Sequence, residues 1–273
     1  MNSPLIKCEN LEHVYPGEVK ALQDASLEVK QGEIVGIIGQ NGSGKTTLVK
    51  HFNGLLKPTE GKVIVNGVDT RDADVKELSR ITGYVFQNPN HQLFANSVKE
   101  ELEFGPKNLE MSEEEVEDRV EMATDFFGLK EHLGENPYRL SFPLRKMVGI
   151  ASIYAMDPDI FVFDEPTTGQ DYSRVKLVSK LIKKLQDEGY TVLIVSHDMI
   201  LIAECCTRLV ALWNSRIIGD DVPRNIFSDK ELLKKTNLTP PQIFQLAEEL
   251  NLSKEGGIPL SIDEAVIAAM EGK

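Results

Sequence analysis

The sequence predicts an α/β fold, and two observations carry that expectation. Short β-type runs alternate with helical patterns along the chain, as layered α/β architectures require. One apolar run, Ile34-Val-Gly-Ile-Ile38, leads straight into the glycine-rich stretch Gly39-Gln-Asn-Gly-Ser-Gly-Lys-Thr-Thr47. At 273 residues the chain has room for one large α/β domain and a smaller appendage.

Strand patterns come first at Leu5–Cys8, Ala25–Val29 and Ile34–Ile38, and a helix is expected over about Lys45 to Leu56. A short strand at Lys62–Val65 precedes the turn at Asn66-Gly67, and another at Ile81–Phe86 ends at Gln87. From about residue 88 to 155 the pattern becomes mainly helical, over Val98–Phe104, Glu113–Phe127 and Phe142–Ala155. Ser112 with Glu115 reads as a capping box for the second of these. Strands return at Ile160–Phe163 and Thr191–Val195, on either side of a helix over Ser173–Glu188. Leu209–Trp213 and Arg216–Gly219 have the pattern of a terminal hairpin. The expectation is a core over 1–220 with the helical lobe 88–155 inserted in it. A small, mainly helical extension over 221–273 follows, with helices at Lys230–Lys235, Pro241–Leu250 and Ile262–Met270 and a packing or dimerisation role.

The formal net charge of −13 disfavours non-specific attraction to nucleic acid or anionic lipid. Cys8, Cys205 and Cys206 form no disulfide framework, and the vicinal pair fits an amphipathic helix as small packing residues. Met1-Asn-Ser-Pro-Leu has the character of neither a signal nor a transit peptide. No apolar run approaches the roughly eighteen residues of a membrane span. The expected protein is soluble and cytoplasmic, with any membrane link made through a partner.

Residues 39–47 match the phosphate-loop pattern GxxxxGK[ST] between a strand and a helix. Gly39, Gly42 and Gly44 let the backbone aim consecutive N–H groups at phosphate oxygens, with Asn41 and Ser43 between them. Lys45 supplies a charge for the outer phosphates, the Thr46 hydroxyl can ligate magnesium, and Thr47 follows in the same turn. The pattern predicts binding of a nucleoside triphosphate, with ATP and Mg2+ as the expected ligands. Downstream, the strand Ile160-Phe-Val-Phe closes on Asp164-Glu165, which puts Asp164 beside the magnesium and lets Glu165 polarise the attacking water. His197 ends another core strand, where it can bridge the terminal phosphate and that water. His13, His51, His91 and His132 lack comparable context and are expected to carry no chemistry.

These motifs together resemble the ATP-binding subunit of ABC transporters, over at least Leu5 to Gly219. The family order is present: a Walker A loop (Gly39–Thr47), a Q-loop glutamine (Gln87), a Walker B pair (Asp164, Glu165), a D-loop (Thr168-Gly169-Gln170-Asp171) and a switch histidine (His197). The resemblance implies a P-loop NTPase core, ATP hydrolysis, adenine stacking on Tyr15, and a Gln87 that ligates magnesium and senses the membrane partner. On residue chemistry alone Tyr15 serves equally well as a core residue. Asn88–Phe94, Glu103–Lys107, Pro223–Ser228 and Thr239–Ile243 resemble the energy-coupling-factor branch, which drives uptake of vitamins or of nickel and cobalt ions. That branch implies an integral-membrane coupling subunit, a membrane substrate-binding subunit and a peripheral place on the cytoplasmic face of the membrane.

The pattern breaks at the signature. Where the family has LSGGQ, this chain has Leu140-Ser141-Phe142-Pro143-Leu144. Pro143 has no backbone N–H to offer a phosphate, and Phe142 adds bulk where close backbone approach needs glycine. The expectation is an asymmetric heterodimer, in which a second ABC ATPase with an intact signature closes this chain's site. A nucleotide-gated subunit with little turnover and the ATPase of another importer are the alternatives. A nucleic-acid repair or translation ATPase is disfavoured, because no second cassette, long coiled-coil insertion or basic surface is evident.

Overall fold

The computed structural model describes residues 3–253 and 257–271. The outermost positions of the expected segments 1–220 and 221–273, the first two residues of the Met1–Leu5 stretch and positions 254–256 lie outside them. In chain order the elements are β1 (Ile6–Tyr15), β2 (Val19–Val29), β3 (Ile34–Gly39), α1 (Lys45–Lys50), β4 (Glu60–Val65), β5 (Val68–Asp69), α2 (Val75–Ile81) and β6 (Thr82–Val85). Then come α3 (Val98–Asn108), α4 (Glu113–Phe127), α5 (Phe142–Met156), β7 (Ile160–Asp164), α6 (Tyr172–Asp187), β8 (Thr191–Val195) and α7 (Met199–Cys205). β9 (Arg208–Trp213), β10 (Arg216–Asp221), α8 (Pro223–Ser228), α9 (Lys230–Thr236), α10 (Gln242–Glu249) and α11 (Ile262–Glu271) complete the described chain.

Two sheets organise these elements. A six-stranded sheet has the order β10-β9-β3-β8-β7-β6, and a four-stranded sheet has the order β2-β1-β4-β5. β9, β3, β8, β7 and β6 run parallel, while β10 folds back antiparallel on β9. The strand period of two explains the layering. Ile34, Phe161, Phe163, Val192 and Ile194 face the helices, whereas Val35, Ile37, Val162, Leu193 and Val195 face the antiparallel sheet. Both faces are therefore buried, and the central strands read as continuous apolar runs. Every functional strand end, at Gly39, Asp164 and Val195, falls on the same edge because these strands are parallel neighbours.

Between β6 and β7 the regular elements are helical, and their apolar residues Val98, Leu102, Val116, Val120, Met147 and Ile150 join the helix-side core. The Ser112–Glu115 capping box is present at the start of α4. Ile226, Phe227, Leu232 and Phe244 of the C-terminal helices enter the same core alongside Leu209 and Ala211 of β9.

Several boundaries differ from the sequence reading. β1 and β2 are longer than expected because they form one antiparallel hairpin, pairing Tyr15 with Val19, and three register irregularities interrupt the alternation. α1 ends at Lys50 rather than near Leu56, since the next amides turn to carbonyls three residues back. α2 occupies Val75–Ile81, capped by the Asp74 carboxylate accepting from the Glu77 amide, so the following strand starts at Thr82 rather than Ile81. α8 also lay outside the expected helices, and Cys206 sits just past the end of α7.

Candidate nucleotide site

β3 delivers the chain into the glycine-rich loop at Gly39, whose backbone has φ +143°. A Cβ there would come within 2.2 Å of the Leu212 carbonyl oxygen on β9 and 2.8 Å of Ser43 Oγ. Only glycine fits a loop packed this tightly against the neighbouring strand. The Ser43 hydroxyl is buried without a hydrogen-bond partner. Such an orphaned polar atom inside a loop of backbone amides fits a phosphate acceptor. The Lys45 ammonium donates to the carbonyls of Gly39 (2.8 Å) and Gln40 (2.9 Å). Burial holds it below the usual lysine range, against the pull of Glu165 and then Asp164.

A cavity of about 380 Å³ opens above this loop, lined by Tyr15, Asn41, Gly42, Gly44, Lys45, Thr46, Thr47, Gln87, Asp164, Glu165 and His197. Eleven of the expected site residues thus converge from separate parts of the chain. Asp164 ends β7 buried, and its carboxylate accepts from the Thr46 hydroxyl at 3.0 and 3.2 Å. Tyr84 of β6 donates to the same carboxylate at 2.8 Å. Burial, and then the Asp164 charge, push the Tyr84 phenol well above its ordinary range, so it remains a donor. Thr46 and Asp164, with the Gln87 amide at the rim, form a hard oxygen set of the kind magnesium takes alongside phosphates. Among the described residues no group of three or more His, Cys, Asp or Glu side chains is placed to hold a metal. A metal here would therefore share its coordination between these few groups and a bound phosphate.

Glu165 has φ +49°, a left-handed backbone that is uncommon away from glycine. Its carboxylate accepts from the His197 amide at 3.4 Å and faces His197 Nε2 at 3.4 Å. Burial raises its pKa; the His197 amide opposes this, and the Asp164 charge adds to it. A carboxyl shifted upward in a cavity of this kind has the character of a general base. His197 Nε2 lies 3.0 Å from Asn41 Oδ1, which accepts from it. Burial, and then Lys45, lower the imidazole's pKa.

Tyr15 ends β1 at the mouth of the cavity, half-buried, with its hydroxyl 3.3 Å from Thr47 Oγ1 and its ring edge-on to His13 at 4.5 Å. Behind it lies a polar chain absent from the sequence reading. Fully buried His51 donates from Nδ1 to the Thr47 carbonyl at 2.7 Å. Its Nε2 is then an acceptor, and it shares the His13 Nδ1 donor, 3.2 Å away, with the Lys57 carbonyl, also at 3.2 Å. Burial pushes the His51 imidazole down to about 4.

Gly39 and Ser43 belong to the loop without lining the cavity, and two further expected groups lie outside it. Ser141 caps α5 without a side-chain bond, and Phe142, Pro143 and Leu144 form its first turn. Asp171 caps α6 by accepting from the Arg174 amide, beside Gly169 and a Gln170 whose amide is buried without a partner. Sequence reasoning missed Val19, Lys20 and Ala21, which also line the cavity. The Pro16-Gly17 turn signal would have found them, since it folds β2 back beside Tyr15. It also missed Tyr84, a buried tyrosine whose hydroxyl requires a partner.

This fold and site define a phosphate-loop nucleoside triphosphatase. The ABC transporter family profile matches residues 22–168, more than half of the chain, and the protein belongs to that family as an ATP hydrolase. It is similar to an energy-coupling factor transporter ATP-binding protein of Clostridium tetani, with 38% identity over 94% of this chain and 91% of that one. An ABC transporter ATP-binding protein of Caldanaerobacter subterraneus is 40% identical over 96% of this chain, which spans 45% of that relative's length. Among solved structures, the CbiO1 protein of Clostridium perfringens, part of the ABC transporter complex CbiONQ, superposes with a TM-score of 0.74. It is 33% identical and the match covers 90% of this chain and 100% of that one.

Proposed function

We propose that this chain is the ATP-binding and ATP-hydrolysing subunit of an energy-coupling-factor type uptake transporter for a vitamin or for nickel or cobalt ions. It works in an asymmetric heterodimer with a second ABC ATPase whose signature is intact. The observation that carries the reading is the convergence of Lys45, Thr46, Gln87, Asp164, Glu165 and His197 on one cavity.

ATP enters with its adenine on Tyr15 and its phosphates over residues 39–47. Lys45 exchanges the Gly39 and Gln40 carbonyls for the outer phosphates, and the Ser43 hydroxyl gains a partner. Thr46, Asp164 and Gln87 would hold magnesium, which would supply charge neutralisation at the phosphates. Tyr84 keeps the Asp164 carboxylate oriented. Glu165 takes the proton of the attacking water, and His197, steadied by Asn41, bridges that water and the terminal phosphate. The partner's signature closes the site, while this chain's Ser141–Leu144 faces the partner's ATP with Pro143 in place of an amide donor.

No helix among the described residues is long and apolar enough to cross a membrane, so the proposed place is peripheral, on the cytoplasmic face. A groove beside α3 supports docking of the membrane coupling subunit. Phe94 (58% exposed) and Phe104 (49% exposed) meet edge-on there at 4.5 Å. Gln92, which also lines the groove, accepts from the Phe86 amide at 3.2 Å, one residue before Gln87. A membrane substrate-binding subunit completes the complex, and nucleic acid has no part in it.

The test is ATP turnover of the assembled complex carrying Glu165→Gln. A loss of about 10²–10⁴-fold is expected for removal of a general base. Turnover close to wild type would overturn the assignment of this chain's site as the active one. It would favour the nucleotide-gated reading, which Pro143 in the signature supports.

A further inference from the structure

Three side chains at and just after the altered signature, Phe142, Arg145 and Lys146, make contacts within their own subunit. The Phe142 ring packs against the D-loop, where a Cβ on Gly169 would lie 3.0 Å from Cε1 and 3.1 Å from Cδ1. Gly169 has φ +74°, so glycine serves there both the backbone and the ring. Arg145 Nη1 donates to Asn90 Oδ1 at 2.7 Å. One residue on, Lys146 is 0% exposed. Its ammonium donates to the Gln87 carbonyl at 2.7 Å and the Phe86 carbonyl at 3.0 Å, and reaches the Asp164 carbonyl at 3.4 Å.

An ammonium has three N–H donors and no acceptor, and here three carbonyls meet it. Burying that charge is costly unless it is fully paired, and a methionine would fill similar space without the cost. The charge therefore has work beyond packing. The carbonyls it gathers belong to the strand end that leads to Gln87 and to the strand end that carries Asp164 and Glu165. Gln92 reinforces the link further along α5, donating to the Gly149 carbonyl at 2.7 Å and Ser152 Oγ at 3.1 Å.

We propose that Lys146 is a positioning residue of this chain's own ATP site, tying the Q-loop backbone to the end of β7 so that the signature helix, Gln87 and the Asp164-Glu165 pair move as one body. This rests on the roles assigned above to Gln87, Asp164 and Glu165. The helix that has lost its donor to the partner's ATP acts on the ATP of its own subunit instead. Displacement of the Q-loop by a membrane partner then reaches Glu165 through one side chain.

The experiment compares Lys146→Met, Lys146→Arg and Glu165→Gln in the assembled complex, measuring kcat and KM for ATP. Hydrogen exchange is followed at the amides of residues 86–88. Lys146→Met is expected to keep KM within about twofold, because the phosphate loop is untouched. Its kcat should fall about tenfold to a hundredfold, the scale of a reacting group misplaced by about an ångström. Exchange should accelerate at 86–88 and not in β3, and Lys146→Arg, which keeps the charge and its donors, should recover most of the turnover. Should the methionine protein not fold, Lys146→Gln replaces it with the same expected split. Unchanged kcat in Lys146→Met while Glu165→Gln is inactive overturns the role of Lys146 alone. Equal losses in the Met and Arg proteins overturn it too, as does a parallel loss of ATP affinity. Normal turnover in both Lys146→Met and Glu165→Gln overturns the site reading beneath it.

Discussion

The buried His51 gives the fold a defined response to acid. Its imidazole is pushed from 6.5 down to about 4 by burial, so the folded protein refuses a proton that the unfolded chain accepts. At neutral pH both states hold His51 uncharged and it contributes nothing to the pH dependence. As pH falls through 6.5 the unfolded state takes up the proton, and stability declines until the folded imidazole titrates near 4. Each pH unit through which only the unfolded chain holds that proton costs about 1.36 kcal/mol, so the interval from about pH 7 to about pH 4.5 removes roughly 2.5 kcal/mol. For a chain of this size that is a fall of roughly 5–10 °C in melting temperature from His51 alone. His51→Asn keeps an N–H donor for the Thr47 carbonyl and cannot titrate. Thermal unfolding followed by circular dichroism at both pH values should show a lower melting temperature for the variant at neutral pH. Its further fall on acidification should be smaller than that of wild type by the same roughly 5–10 °C. Equal falls in the two proteins would refute the account of a buried, neutral His51.

Tyr84→Phe removes the 2.8 Å donor to Asp164 and should raise the magnesium concentration for half-maximal ATPase by about tenfold, the usual order for losing a group that orients a ligand; an unchanged magnesium titration would count against it. Gly39→Ala places a Cβ 2.2 Å from the Leu212 carbonyl, so it should destabilise the protein by more than about 3 kcal/mol and abolish binding of a fluorescent ATP analogue. Normal melting and normal nucleotide binding would contradict the tight packing of the loop on β9.

The parts of the site written in contiguous residues were legible in the sequence. The loop at 39–47 and the Asp164-Glu165 pair each follow an apolar run, and parallel pairing brings both strand ends to one edge. The role of Gln87 followed only from the family resemblance, while His197 was found the same way. Tyr84 and Lys146 were not, because their partners lie 80 and 59 residues away in the chain and no local pattern marks the contact. The His13–His51 chain was missed for the same reason, although His51 sits one turn after the phosphate loop. α2 escaped notice because only Leu78 of its seven residues is buried, which leaves little amphipathic signal. The early hairpin was underestimated because positive φ at Asn10 and Asp24 and the register irregularities break the alternation that marks a strand. Pro143 was informative in both settings: it lies in the first turn of α5 in the sequence and in the structure, and it withholds an amide in each.

The fit of the Phe142 ring over Gly169 also bears on the history of the chain. Shortening residue 142 first would open a void against a D-loop that has no side chain to fill it. Adding a side chain at 169 first would force the ring aside and strain a left-handed backbone. Each of these single changes is therefore disfavoured while the other residue stays as it is. Such a pairing works as a ratchet: the ring and the bare D-loop backbone hold each other in place, and a lineage that acquires the pair tends to keep both residues.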